Sequence, residues 1–187
     1  MKGKNMLISA GIAASLAVLA AGAAISAAQD KYTVKVPNGL AFSEFKGYES
    51  WELINISQAG GMVAAILGNP AMIDAYRAGI PVNGKPFPDG ARMAKIHWNP
   101  KQNAIAPGSP TVAGTQLDVD FMVKDSKRFA DSGGWGYAVF RYDATSESFK
   151  PGDLTGKPPQ RNDAKCGFAC HTVVTDRDYV FTEYAKR

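Results

Sequence analysis

Cys166-Gly167-Phe168-Ala169-Cys170-His171 sets two thiols and an imidazole close together near the end of a 187-residue chain whose only other histidine is His97. Two thiols followed at once by a histidine can bond both vinyl groups of a haem while the imidazole ligates its iron from one face. The usual spacing is C-x-x-C-H, and here it is widened by one residue, which leaves the Cys166 thioether less secure than that of Cys170. A disulfide between the two would leave His171 without a role. It would also close so short a loop that little chain entropy is removed. Zinc asks for about four ligands where the sequence offers few, and a thiol redox motif has two intervening residues in a βαβ setting that is absent here. The chemistry favoured is one covalently attached haem c, with His171 as its metal ligand and Cys166 and Cys170 as its tethers. No second axial ligand announces itself. His97, Met62, Met72, Met93 and Met122 are available, but a methionine in a periodic pattern is more often core packing. Iron without a sixth protein ligand can bind a small molecule.

Two strands must position whatever acts on such a molecule. In the run 91–98 the period-two pattern places Ala94, Ile96 and Trp98 on one face and Met93, Lys95 and His97 on the other. In the run 116–124 Leu117, Val119, Phe121 and Val123 face one way and Asp118, Asp120 and Met122 the other. The Pro- and Gly-rich stretch 99–114 reads as a loop that returns the chain antiparallel. Lys95 and Asp120 are then able to project from the same face of neighbouring strands. Taken alone they could equally be a surface ion pair, Asp120 with Lys95 or Lys124, worth about 0–1 kcal/mol.

Around these strands the chain reads as α+β and predominantly β, an antiparallel sheet with a few flanking helices. In the run 48–56 the later residues favour strand, Gly60-Gly61 breaks the chain, and the apolar run 62–67 suits a buried strand. Asn69 and Pro70 are a good N-cap and first helical residue, and the helix they start ends by Gly79. The stretch 80–90 is a turn-rich loop. An aromatic strand is expected over 135–142, a long proline-bearing connection over 143–165, and a helix start at Thr175-Asp176-Arg177-Asp178 with Tyr179, Val180, Phe181 and Tyr184 as its apolar flank.

The N-terminus has the pattern of an export signal: Lys2 and Lys4, an apolar stretch from Met6 to Ile25, then Ser26-Ala27-Ala28. The expectation is a signal peptide over 1–28 and a single domain over 29–187, delivered to the periplasm and free of the membrane after cleavage. Loss of the two lysines lowers the formal charge from +4 to +2, too small a bias to argue for nucleic acid or an anionic membrane.

Several blocks resemble the cytochrome P-460 family. They are Phe87-Pro88-Asp89-Gly90 with Lys95 five residues on, the run Val123-Lys124-Asp125-Ser126-Lys127-Arg128-Phe129, Gly134-Trp135, the cysteine motif, and Asp178-Tyr179-Val180-Phe181-Thr182. The resemblance runs from roughly Trp51 to the C-terminus and implies a β-rich periplasmic homodimer. It also implies that Lys95 forms a further covalent bond to the macrocycle, and that Asp120, where some relatives carry Glu, accepts a proton during hydroxylamine oxidation while an external acceptor takes the electrons. The alternative it leaves is a cytochrome c′-beta-like carrier or scavenger of nitric oxide without turnover, for whose distal cap Phe42, Phe45, Phe121 and Phe129 are candidates. A third is an envelope binding domain that has lost its haem.

Overall fold

The computed structural model describes residues 29–187, so the expected signal over 1–28 lies outside the described residues. Its centre is a six-stranded antiparallel sheet in which every strand pairs with its neighbour in sequence: β1 (Glu52–Ala59), β2 (Met62–Gly68), β3 (Arg92–Gln102), β4 (Thr111–Lys124), β5 (Trp135–Asp143) and β6 (Ser148–Pro151). Such a meander needs only local turns. Gly60 and Gly61, both at positive φ, make the first of them. The helix α1 (Pro70–Arg77) crosses between β2 and β3, with the Asn69 side chain accepting from the Met72 N–H as its cap. The helix α2 (Ala164–His171) packs on β5.

Period-two alternation sorts the side chains onto the two faces of the sheet. On one face Ala94, Ile96, Val119, Phe121, Val123, Ala138 and Phe140 are buried with Phe42, Phe45 and Tyr48 from 3-10 turns that precede β1. Phe45 stacks on Phe121 with ring centroids 4.0 Å apart. On the other face Met93, Met122, Trp135 and Tyr137 meet α1, Phe87, Ala164 and Val180. The second face is only partly covered, and its uncovered centre is the site. Among the described residues no helix is long and apolar enough to cross a membrane.

Three expectations need correction. Only the middle of the stretch 99–114 is loop, because β3 continues through Pro100 to Gln102 and β4 begins at Thr111. Beyond the Val63–Trp98 pair β3 has lost its β2 neighbour, so a proline with no N–H to give is tolerated on that open edge. The connection 143–165 contains β6, paired with the end of β5. No α-helix starts at Thr175: residues 172–177 form a 3-10 turn, and Asp178 and Tyr179 then adopt positive φ of 48° and 64°. Asp178 does not cap a helix because its carboxylate is committed elsewhere, to the Lys124 ammonium at 2.7 Å and the Phe87 N–H at 2.8 Å.

Candidate functional site

Strand register brings the two predicted side chains together. Lys95 on β3 pairs directly with Asp120 on β4, and the next pair on the same face is His97 with Asp118. Ile66 on β2 and Val139 on β5 extend the row on either side. This row floors a cleft of about 160 Å³. The opposite wall is built by Gly167 and His171 of α2 and by Val180, Phe181 and Thr182. All the residues assigned from sequence to chemistry except the two cysteines therefore line one cavity.

His171 is held in one orientation from three sides. Its Nδ1 lies 2.6 Å from the Tyr179 carbonyl, which can only accept, so Nδ1 carries the proton and Nε2 keeps its lone pair. The ring lies 5.1 Å from that of Tyr137 and 4.8 Å from that of Phe181. Burial, followed by the charge of Lys95, pushes the imidazole below its ordinary pKa against the opposing pull of the Tyr179 carbonyl. A neutral imidazole with a fixed tautomer and a free Nε2 is the form that ligates a metal.

Tyr179 can supply that carbonyl because Asp178 beside it is anchored. The Lys124 ammonium, 6% accessible, reaches Asp178, donates to the Gly133 carbonyl at 2.9 Å and lies 5.1 Å from the centre of the Trp135 ring. Lys124 is thus a structural clamp and does not pair with Asp120. Glycine permits two close approaches here. A Cβ on Gly133, which sits at φ +67°, would lie 2.1 Å from the Tyr179 ring, and one on Gly167 would lie 3.0 Å from Tyr137, where α2 lies down on β5.

Cys166 and Cys170 are not joined to each other, and both are exposed. Because both lie in α2, their four-residue separation leaves them on one side of the helix, just as three residues would. The widened motif therefore still presents both thiols together. Tyr137 lines the cavity, and its buried hydroxyl finds no partner among the described residues. A buried tyrosine hydroxyl without a partner, a free imidazole nitrogen in the cleft and two thiols on the helix that carries that imidazole are a donor set that fits a haem.

Asp120 faces the cavity with 41% of its side-chain surface accessible. Its carboxyl is pushed up to about 6, first by desolvation, with the Asp118 charge adding and the His97 and Lys95 charges opposing. The contact that approaches an ion pair is with His97 Nδ1, at 3.9 Å, and among the described residues Lys95 lies in no ion pair within 4.0 Å. The surface-pair reading of Lys95 and Asp120 is therefore replaced by one in which both face a cavity. The aromatics considered for a distal cap are also relocated: Phe42, Phe45, Phe121 and Phe129 belong to the core on the opposite face of the sheet. The aromatic side chains that flank His171 are Tyr137 and Phe181.

Sequence reasoning missed Tyr137, Asp163 and Phe181 as residues of the cleft and weighed His97 only as an iron ligand. For His97 a signal existed, since it shares a face with Lys95, while nothing in the sequence marked Asp163, which reaches the cleft from the residue before α2.

No curated protein sequence matches this one significantly. The profile of the cytochrome P460 family matches residues 45–182, a span holding the whole sheet, both helices and every residue of the cleft. With that match and a cleft whose donors fit haem, the chain belongs to the cytochrome P460 family of haem proteins.

Proposed function

We propose that this protein is a periplasmic c-type haem oxidoreductase acting on hydroxylamine or a related small nitrogen compound. The observation that carries the reading is the cross-strand pair Lys95–Asp120 set in the same cleft as the His171 imidazole. Cys166 and Cys170 would tether one haem c, His171 would ligate its iron through Nε2, and Lys95 would bond to its macrocycle. The haem would supply a metal centre that ligates the nitrogen compound and passes its electrons to an external acceptor.

The protein's own contribution is binding, orientation and proton transfer. Ile66, Met93, Met122 and Val139 line the cleft with apolar surface, excluding bulk water and limiting the substrate to a small molecule. Tyr179, Tyr137 and Phe181 fix the His171 ring. Asp120 is placed to accept the proton that hydroxylamine loses on oxidation. A carboxyl pushed up to about 6 is a stronger base than an ordinary aspartate while still ionised at neutral pH. Export by residues 1–28 and assembly as a homodimer are parts of the same proposal.

The test is steady-state oxidation of hydroxylamine by purified holoprotein with a dye as electron acceptor. Turnover is expected, and Asp120→Asn should lower kcat by about 10²–10⁴-fold, the range that general base catalysis contributes. Holoprotein that binds nitric oxide but does not oxidise hydroxylamine would decide for the carrier reading.

A further inference from the structure

Two carboxylates of β4, Asp118 and Asp120, emerge on the cavity face two residues apart, and only one of them has a committed partner. His97, on β3 and 8% accessible, places Nδ1 2.6 Å from Asp118 Oδ1 and 3.9 Å from Asp120 Oδ2. One ligand-type atom from each of the three lies within 4.8 Å of the others, so the side chains form one compact cluster. A carboxylate accepts, so Nδ1–H donates to Asp118 and the bond is charge-assisted. Asp120 gets no such bond and turns to the cleft, which it lines while Asp118 and His97 do not. On its far side His97 joins Lys95, Ser57, Gly60 and Met62 around a second hollow between the β1–β2 hairpin and β3.

We infer that His97, acting through Asp118, is the positioning residue that leaves Asp120 as the free carboxylate of the haem cleft. The inference rests on the proposed function for its catalytic consequence but not for its geometry. With no N–H at position 97, Asp118 loses its donor, and two neighbouring carboxylates of one strand face each other without an intervening dipole. They then compete for a proton, as paired carboxylates do. The charged groups facing the cluster are Lys95 on β3, Arg141 on β5, which pairs in register with Asp118, and Asp163, which lies 3.6 Å from Arg141. The positive charges among them hold Asp120 down and the acids push it up.

The experiment uses holoprotein and three variants. His97→Leu removes the donor, His97→Asn keeps an N–H close to the position of Nδ1, and Asp118→Asn removes the competing carboxylate. Two readouts are taken together: the carboxyl C=O infrared band followed against pH and assigned to Asp120 by its loss in Asp120→Asn, and the pH profile of hydroxylamine oxidation. For His97→Leu the infrared midpoint should rise by about one pH unit or more. Its kcat should fall roughly fivefold or more near pH 6, recover at high pH, and leave KM little changed. His97→Asn should titrate close to wild type, and Asp118→Asn should move the midpoint down. A His97→Leu midpoint equal to that of wild type overturns the inference, as does a His97→Asn variant that behaves like His97→Leu. Should wild type oxidise no hydroxylamine at any pH while the infrared midpoints move as described, the positioning role stands and the proposed function falls.

Discussion

Replacing Asp178 by Asn should be among the most damaging conservative changes in this chain, and its size follows from what the carboxylate holds. The variant keeps the side-chain shape and an oxygen for the Phe87 N–H, but it strips the counter-charge from the Lys124 ammonium. That ammonium is 6% accessible and Asp178 is 12% accessible, so water cannot replace the lost partner. The Gly133 carbonyl at 2.9 Å and the Trp135 ring at 5.1 Å remain, and neither carries a formal charge. Breaking a buried pair in this way costs about 3–5 kcal/mol. At roughly 2–4 °C per kcal/mol for a folded unit of this size, Tm falls by about 6–20 °C. The assay is thermal unfolding by circular dichroism at pH 7, with Lys124→Met and the double variant completing a cycle. The double variant should recover part of the loss, because the stranded charge is then gone. A drop below about 1 kcal/mol for Asp178→Asn, or strictly additive single losses, would refute the view that this pair anchors the C-terminal segment. The same variant should disturb the axial-ligand spectrum of the holoprotein, since the carbonyl that orients His171 belongs to the next residue, Tyr179.

Three further outcomes follow from the geometry. Gly133→Ala sets a Cβ at φ +67° and 2.1 Å from the Tyr179 ring, and should cost above ~2 kcal/mol in a denaturant melt, whereas a loss within 0.5 kcal/mol would contradict the packing. The rate of hydroxylamine oxidation should be full above Asp120's value of about 6 and fall as pH drops through it, since a base must be ionised to accept a proton; this acid limb should be missing from the residual rate of Asp120→Asn. Stability has the opposite sign. A carboxyl raised from about 3.9 in the unfolded chain to about 6 in the folded one gives a contribution that is full below pH ~4 and lost as pH rises through 6, so Asp120→Asn should raise Tm at pH 8 and leave it unchanged or lower at pH 4.

Much of the site could be read from the sequence because it depends on strand alternation and register. Met93, Lys95 and His97 share a face by period two alone, as do Asp118, Asp120 and Met122, and an antiparallel return brings the two rows together. Asn69-Pro70 announced α1 because a cap is a local interaction. Elements that depend on distant partners were not legible. The four residues of β6 have no pattern of their own and become a strand by pairing with β5. The acids at 176 and 178 look like helix caps until Lys124, more than fifty positions earlier, claims Asp178. The role of His97 depended on knowing that its ring, on β3, lies against Asp118 of β4, with the cavity on one side of the cluster and a second hollow on the other. The phenylalanines considered for a distal cap were misplaced for a related reason: composition gives the number of aromatics, but only packing decides which face of the sheet they cover.

The central claim is that a porphyrin sits between α2 and the β3–β4 floor, bonded from both sides. The direct measurement is mass spectrometry of a proteolytic digest of denatured holoprotein, matured in a host that attaches haem c. The account predicts one haem-bearing species in which the peptide holding Cys166, Cys170 and His171 is joined through the macrocycle to the peptide holding Lys95. A colourless protein would contradict the haem site itself, and a haem peptide accompanied by a free Lys95 peptide would contradict the role given to Lys95.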